Sequence, residues 1–262
     1  MKMMNDADAV NRQYATSDRL RTRIGLHEKY SVNPQPFAEW IFDQYQLRPG
    51  DAILDVGCGT GQMWRGRVER LPEGCRLTLT DLSPGMVDSA RAMLAGAPGV
   101  EFGCADIQAL PFEDKSMDVV IANMMLYHVP ELGRGLSEVR RVLRAGGRFY
   151  CATFGEKGVG RFVAEVLGGP GAQLAPASFT LQNGRAALEA KFEAVERLDY
   201  EDELRVTDAR DLAEYIRSMQ GMEYAQRLSD EELLERLEAL RINGAIRVPK
   251  EYGMFRARAG VC

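Results

Sequence analysis

The segment "AILDVGCGTGQMW" (residues 52–64) decides how this chain folds. An apolar run carries one acid, Asp55, and then glycine recurs at 57, 59 and 61. Glycine has no Cβ, so this spacing predicts a tight turn at a strand's end, where the backbone takes positive φ and lies close against a ligand. In open α/β sheets ligands bind at that carboxyl edge. A dinucleotide loop would follow G-x-G-x-x-G, with its pyrophosphate over a helix N-terminus. Here the spacing is G-x-G-x-G and Gln62 follows Gly61.

Outward from this loop, short apolar runs alternate with amphipathic ones, the pattern of a mostly parallel sheet with helices on its faces. Strands are expected at "RLTLTDL" (76–82), "VEFGCAD" (100–106), "MDVVIANM" (117–124) and "RFYCATF" (148–154). Ser83 and Pro84 predict a helix start. Leu132, Leu136, Val139, Val142 and Leu143 have helical spacing, and Gly146-Gly147 is expected to stop that helix. Beyond 154 the regularity breaks, with a breaker-rich segment at 155–180 around a short helix. Then come a helix in "LQNGRAALEAKF", a strand in "AVERLDYEDELRV", helices near 208–220 and 230–242, and a last strand in "EYGMFRARA" (251–259). Ser229 and Glu232 stand three apart, as a capping box requires.

The 262 residues allow one substantial domain with a cap. A net charge of -5 disfavours non-specific binding to nucleic acid. Neither a secretory signal nor an apolar run long enough to span a membrane occurs, so a cytoplasmic protein is expected. Five scattered cysteines without a C-x-x-C pair, and only two histidines, predict neither a metal site nor a disulfide framework.

Asp55, Asp81 and Asp106 each stand at the carboxyl end of an expected strand. With "ILDVGCGTG", "TDLSPGMVDSAR", "CADIQALPFEDKSMDVVIANMMLYHV" and "EVRRVLRAGGRFYCATF" in this order, the chain resembles the class I S-adenosylmethionine-dependent methyltransferases, above all their small-molecule branch. The resemblance is strong over about residues 35–155. It implies a doubly wound, seven-stranded α/β sheet of order 3-2-1-4-5-7-6 with the last strand antiparallel, an N-terminal helical cap (1–33) and a methyltransferase domain (34–262) with acceptor-side insertions at about 155–180 and 208–243.

The resemblance also implies S-adenosylmethionine as cofactor. Gly57, Cys58, Gly59 and Gly61 would contact its methionine and ribose portions, with Asp55 orienting the loop. Asp81 would hold the ribose hydroxyls, Leu82 and Met86 would flank the adenine, Asp106 and Ile107 would meet its edge, and Asn123 would line the methionine side. From the N-terminal arm, Tyr14, Arg23 and Tyr30 would approach the methionine end, where a guanidinium fits a carboxylate. Carboxylates near a glycine loop suit a ligand with an ammonium and a sulfonium better than a pyrophosphate.

His128, with Tyr127 just beyond the fourth strand, is the candidate general base toward a small-molecule methyl acceptor. His27 reads as a helix-face residue or a second contact. Three other readings stay open: a non-catalytic binder of the same cofactor, an RNA methyltransferase, and a NAD-dependent oxidoreductase.

Overall fold

The computed structural model describes residues 18–168, 177–219, 225 and 227–261. Seven strands form one sheet: β1 Ala52–Val56, β2 Arg76–Asp81, β3 Val100–Cys104, β4 Met117–Ile121, β5 Leu143–Phe154, β6 Glu193–Val206 and β7 Ile246–Arg258. Their order is β3-β2-β1-β4-β5-β7-β6. The strands β1 to β5 pair in parallel, and β7 runs antiparallel to both β5 and β6. This is the sheet that the sequence resemblance implied.

Eight helices are described: α1 Asp18–Tyr30, α2 Phe37–Asp43, α3 Pro84–Met93, α4 Leu132–Val142, α5 Val159–Gly168, α6 Gly184–Glu189, α7 Ala209–Ser218 and α8 Asp230–Glu238. All five residues of β1 are buried, because helices cover both faces of the sheet. On one face Leu136, Val139 and Val142 of α4 and Leu188 of α6 pack on Leu54, Val120, Phe149 and Phe255. On the other, Ile41 and Phe42 of α2 and the fully buried Trp64 pack on Ile53, Leu79, Ile121 and Tyr150.

The capping box forms as its spacing predicts: Ser229 Oγ accepts from the Glu232 amide at 3.1 Å, and the Glu232 carboxylate accepts from the Ser229 amide at 2.8 Å. The glycine pair at 146–147 acts differently from expectation. Helix α4 ends at Val142, and Leu143 is already extended and paired with Met117, so strand pairing stops the helix before the glycines. The pair instead serves an irregularity inside β5, with Gly146 at φ +71° and its amide bonded to the Ala259 carbonyl.

The long hairpin of β6 and β7 builds a second core. Phe154 ends β5 opposite Tyr252, so residues 246–251 of β7 pair with β6 alone and run past the carboxyl end of β5. On this projection Leu204, Val206, Ile246 and Val248 are covered by Leu26 and Tyr30 of α1, Val163 of α5, Leu212 and Ile216 of α7, and Leu233 and Leu237 of α8. The cap thus stands over the edge where the glycine loop lies.

A buried ion pair ties the arm to this cap. Lys250 Nζ lies 2.5 Å from Asp202 Oδ2, with the two side chains 2% and 0% exposed. Asp202 also accepts from the Val32 and Asn33 amides at 3.1 and 3.0 Å and from the Ser31 hydroxyl. The rings of Tyr200 and Tyr252 face the ammonium at 5.2 and 5.1 Å. Lys250→Ala leaves a buried carboxylate without its cation, and urea unfolding is expected to show a loss of about 3–5 kcal/mol.

Candidate functional site

The three loop glycines answer the question their spacing raises. Gly57, Gly59 and Gly61 have φ of +75°, +57° and +74°. Two of them also lie in close contact. A Cβ on Gly57 would stand 2.8 Å from Met125 Cγ, and one on Gly61 would stand 3.2 Å from the Ala90 Cβ of α3. The turn is stitched to β2: the Gly57 and Cys58 amides both donate to the Thr80 carbonyl, at 2.7 and 2.9 Å. After Gly61 the chain enters a 3-10 turn, Gln62–Trp64, and a second one, Val68–Arg70, before β2 begins. No α-helix starts at the loop, so the helix dipole that favours a pyrophosphate is missing there.

Two acids frame the turn. Asp81 ends β2, and its carboxylate accepts from the Gly59 amide at 3.0 Å and the Ser83 amide at 2.9 Å. Burial raises its pKa, with the Ser83 and Gly59 amides opposing. Asp55 is buried, and its Oδ2 accepts from Trp64 Nε1 at 2.6 Å. Burial pushes its pKa up to about 7, Trp64 opposes, and the charge of Asp81 adds to the rise. Cys58 sits between them, its thiol pushed up by burial and then by Asp55 and Asp81, which argues against a nucleophilic role. Burial raises the pKa of both carboxyls, and the Asp81 charge raises Asp55 further, so a cation beside them would stabilise their ionised forms.

Behind the loop, Asn123 is fixed on both sides of its amide. Its Nδ2 donates to Tyr45 Oη at 2.6 Å, and its Oδ1 accepts from the Ala152 amide at 3.0 Å. Tyr45 stacks on Trp64 with centroids 6.3 Å apart, so Asn123 and Asp55 join one network. Met124 takes φ +54°, a strained value for methionine, while its amide donates to the Ala152 carbonyl at 2.8 Å. This turn sets Met125 against Gly57. Tyr45, Trp64 and Met125 carried no sequence signal; only the rule that a buried acid needs a donor pointed toward a partner such as Trp64.

The adenine-side candidates separate. Leu82 is 42% exposed beside Asp81, whereas Met86 is 2% exposed inside α3. Asp106 folds back on its own turn, accepting from the Gln108 amide at 2.9 Å. Ile107 is buried against Gly135 of α4.

On the cap side, Tyr127 and His128 close the 3-10 turn after β4, their rings 4.5 Å apart, and Tyr127 meets Phe154 at 4.7 Å. Arg23 is brought to Tyr215 and Tyr252: burial raises both phenols and its guanidinium opposes. Tyr30 turns into the α1–α7 contact, where its hydroxyl donates to Asp211 at 2.5 Å, and the structure does not bring it to the loop. Tyr14 lies outside the described residues. A cleft of about 670 Å³ bordered by Lys157, Arg197, Glu201, Arg247 and Glu251 follows the β6–β7 hairpin and is not lined by the loop. Among the described residues no group of three or more His, Cys, Asp and Glu is placed to hold a metal ion, and no helix is long and apolar enough to cross a membrane.

The raised pKa of Asp55 makes stability depend on pH. Its folded value, about 7, exceeds the ordinary 3.8, so the native state holds a proton that the unfolded chain releases. Stability from this group is complete below the ordinary value and is lost as pH rises toward 7. Urea unfolding of wild type and Asp55→Asn across this range is expected to show the variant gaining on wild type up to about pH 7 and holding a constant difference above it. A difference that does not change with pH would contradict the buried-acid account.

Residues 54–151 match the family described as Methyltransferase domain. The malonyl-acyl-carrier protein O-methyltransferase of Serratia marcescens is 31% identical over 154 residues, 58% of this chain and 56% of that protein. The demethylmenaquinone methyltransferase of Symbiobacterium thermophilum is 35% identical over 111 residues, 41% of this chain and 44% of that protein. The chain therefore spans about half the length of these curated relatives. The solved structure of the (4+2)-cyclase SpnF shares the fold, with a TM-score of 0.62 over 100% of this chain and 98% of that one at 20% identity. Over residues 54–151 the chain thus matches a methyltransferase domain, and its sheet order is the one that the resemblance to the class I S-adenosylmethionine-dependent methyltransferases implied.

Proposed function

We propose that the chain binds S-adenosylmethionine at the glycine loop and transfers its methyl group to an O, N or C atom of a small molecule, leaving S-adenosylhomocysteine. The observation that carries this reading is the pair of carboxyls, buried Asp55 and half-buried Asp81, around a turn that opens no helix. That donor set fits a cationic adenosyl ligand: loop residues 57–64 include no Lys or Arg, and their acids favour positive charge. A fold shared with a protein named as a cyclase does not itself specify methyl transfer. The names of the curated relatives support it, malonyl-acyl-carrier protein and demethylmenaquinone being acceptors named for those proteins.

Bound there, the cofactor supplies an electrophilic methyl on sulfur, a good leaving group. The chain's own contribution is alignment, which accounts for much of the barrier in such displacements. Asp81 can exchange its Gly59 and Ser83 amides for ribose hydroxyls, and exposed Leu82 lies beside it for the base. Asp55, Trp64, Tyr45 and Asn123 hold the floor rigid. The described residues of the arm (18–33) and of the segments 155–180 and 208–243 supply the acceptor-side walls in this reading, with apolar and aromatic side chains suited to a small molecule. His128 is the candidate base in this reading, where the acceptor must lose a proton.

Release of S-adenosylhomocysteine when S-adenosylmethionine is supplied with salicylate, catechol, 2,4-pentanedione or ethanolamine as methyl acceptor tests the reading. At least one acceptor class is expected to turn over, and Asp81→Asn is expected to weaken cofactor binding about tenfold or more. Cofactor binding without turnover of any of the four would favour a non-catalytic binder.

A further inference from the structure

His27 is the one described residue with a buried side-chain N or O atom that lacks a hydrogen-bond partner: Nδ1 is shielded from water and unpaired. It projects from α1 to the junction of sheet edge and cap. Its Nε2 lies 3.0 Å from Tyr252 Oη, and its ring meets Tyr252 and Tyr215 at 5.2 and 5.6 Å. Tyr252 is the cross-strand neighbour of Phe154, which packs on Tyr127 beside His128. Tyr252, Phe154 and Tyr127 thus form a wall of rings between His27 on the arm and the candidate base.

The hydrogen-bond inventory favours one placement of the proton. If Nε2 carried it and donated to Tyr252, the phenol hydrogen and the Nδ1 lone pair would both lack partners in the contacts seen. If Tyr252 donates to Nε2, the phenol is satisfied and one N–H remains, at Nδ1. Burial, then the Lys250 ammonium, lowers the imidazole pKa to about 3, with Asp202 opposing, so the ring is neutral and a weak base. A neutral imidazole is suited to donating a hydrogen bond to an oxygen.

We propose that His27 is an acceptor-positioning residue, its Nδ1–H donating to a carbonyl or carboxylate oxygen that flanks the methylated atom of the small-molecule acceptor. This rests on the methyl-transfer reading above. It narrows the acceptor to oxygen-flanked nucleophiles, such as an acid with a neighbouring hydroxyl or a carbon between two carbonyls. A buried donor left without its oxygen carries its full desolvation cost, so compounds lacking that oxygen are rejected.

The test has two parts. Nitrogen-15 NMR of the imidazole in the full chain is expected to show the Nδ1–H form near neutral pH; the Nε2–H form overturns the proposal. In turnover, salicylate and 2,4-pentanedione are expected to outperform ethanolamine in wild type. His27→Phe is expected to lower kcat/KM for these two by about tenfold or more, mostly through KM, with cofactor affinity unchanged. His27→Asn, whose amide reaches the Nδ1 position, is expected to restore part of the loss. Equal kcat/KM in His27→Phe and wild type, turnover of ethanolamine alone, or loss of cofactor binding in His27→Phe overturns the assignment while methyl transfer itself stands. Failure of wild type to bind S-adenosylmethionine removes both.

Discussion

The hydrogen bond from Trp64 to Asp55 is the interaction on which the site depends. An acid at the end of a fully buried central strand has no water to solvate it, so its placement requires a donor inside the core. Trp64 supplies that donor from a 3-10 turn just after the glycines. The indole therefore holds together the two ends of the loop, and Tyr45 stacked on it carries the restraint to Asn123 and the end of β4. Asp81 completes the turn from the other side by gripping the Gly59 amide. The loop is thus shaped before any ligand arrives, which lowers the ordering cost of binding.

The same arrangement explains why this site and a dinucleotide site diverge although both begin with a strand and a glycine turn. A pyrophosphate needs amides at a helix start and welcomes cations. This loop gives up the helix, directs the Gly57, Cys58 and Gly59 amides to Thr80 and Asp81, and gathers two carboxyls, Asp55 and Asp81. Above it, the projecting β6–β7 hairpin carries a second core past the carboxyl end of β5. The Lys250–Asp202 pair then fastens the arm that carries His27 to that hairpin.

Much of this was legible in the sequence because it rests on local patterns. Alternating apolar runs gave the strands, Ser229 with Glu232 gave a helix start, and the G-x-G-x-G spacing gave the turn. What stayed hidden depends on partners distant in the chain. The Asn123–Tyr45 bond joins residues 78 apart, and the His27–Tyr252 contact joins residues 225 apart. The end of α4 was misread for the same reason: pairing of Leu143 with Met117 overrides the helical spacing before the glycines are reached. Tyr30 has the composition of a ligand contact and is instead taken by Asp211 from another helix.

Calorimetric titration of the full chain with S-adenosylmethionine and, separately, with NAD tests the central claim most directly. The account predicts saturable binding of the cationic adenosyl ligand and none of the pyrophosphate one. Binding of NAD in its place would contradict the reading of the glycine turn and its two acids.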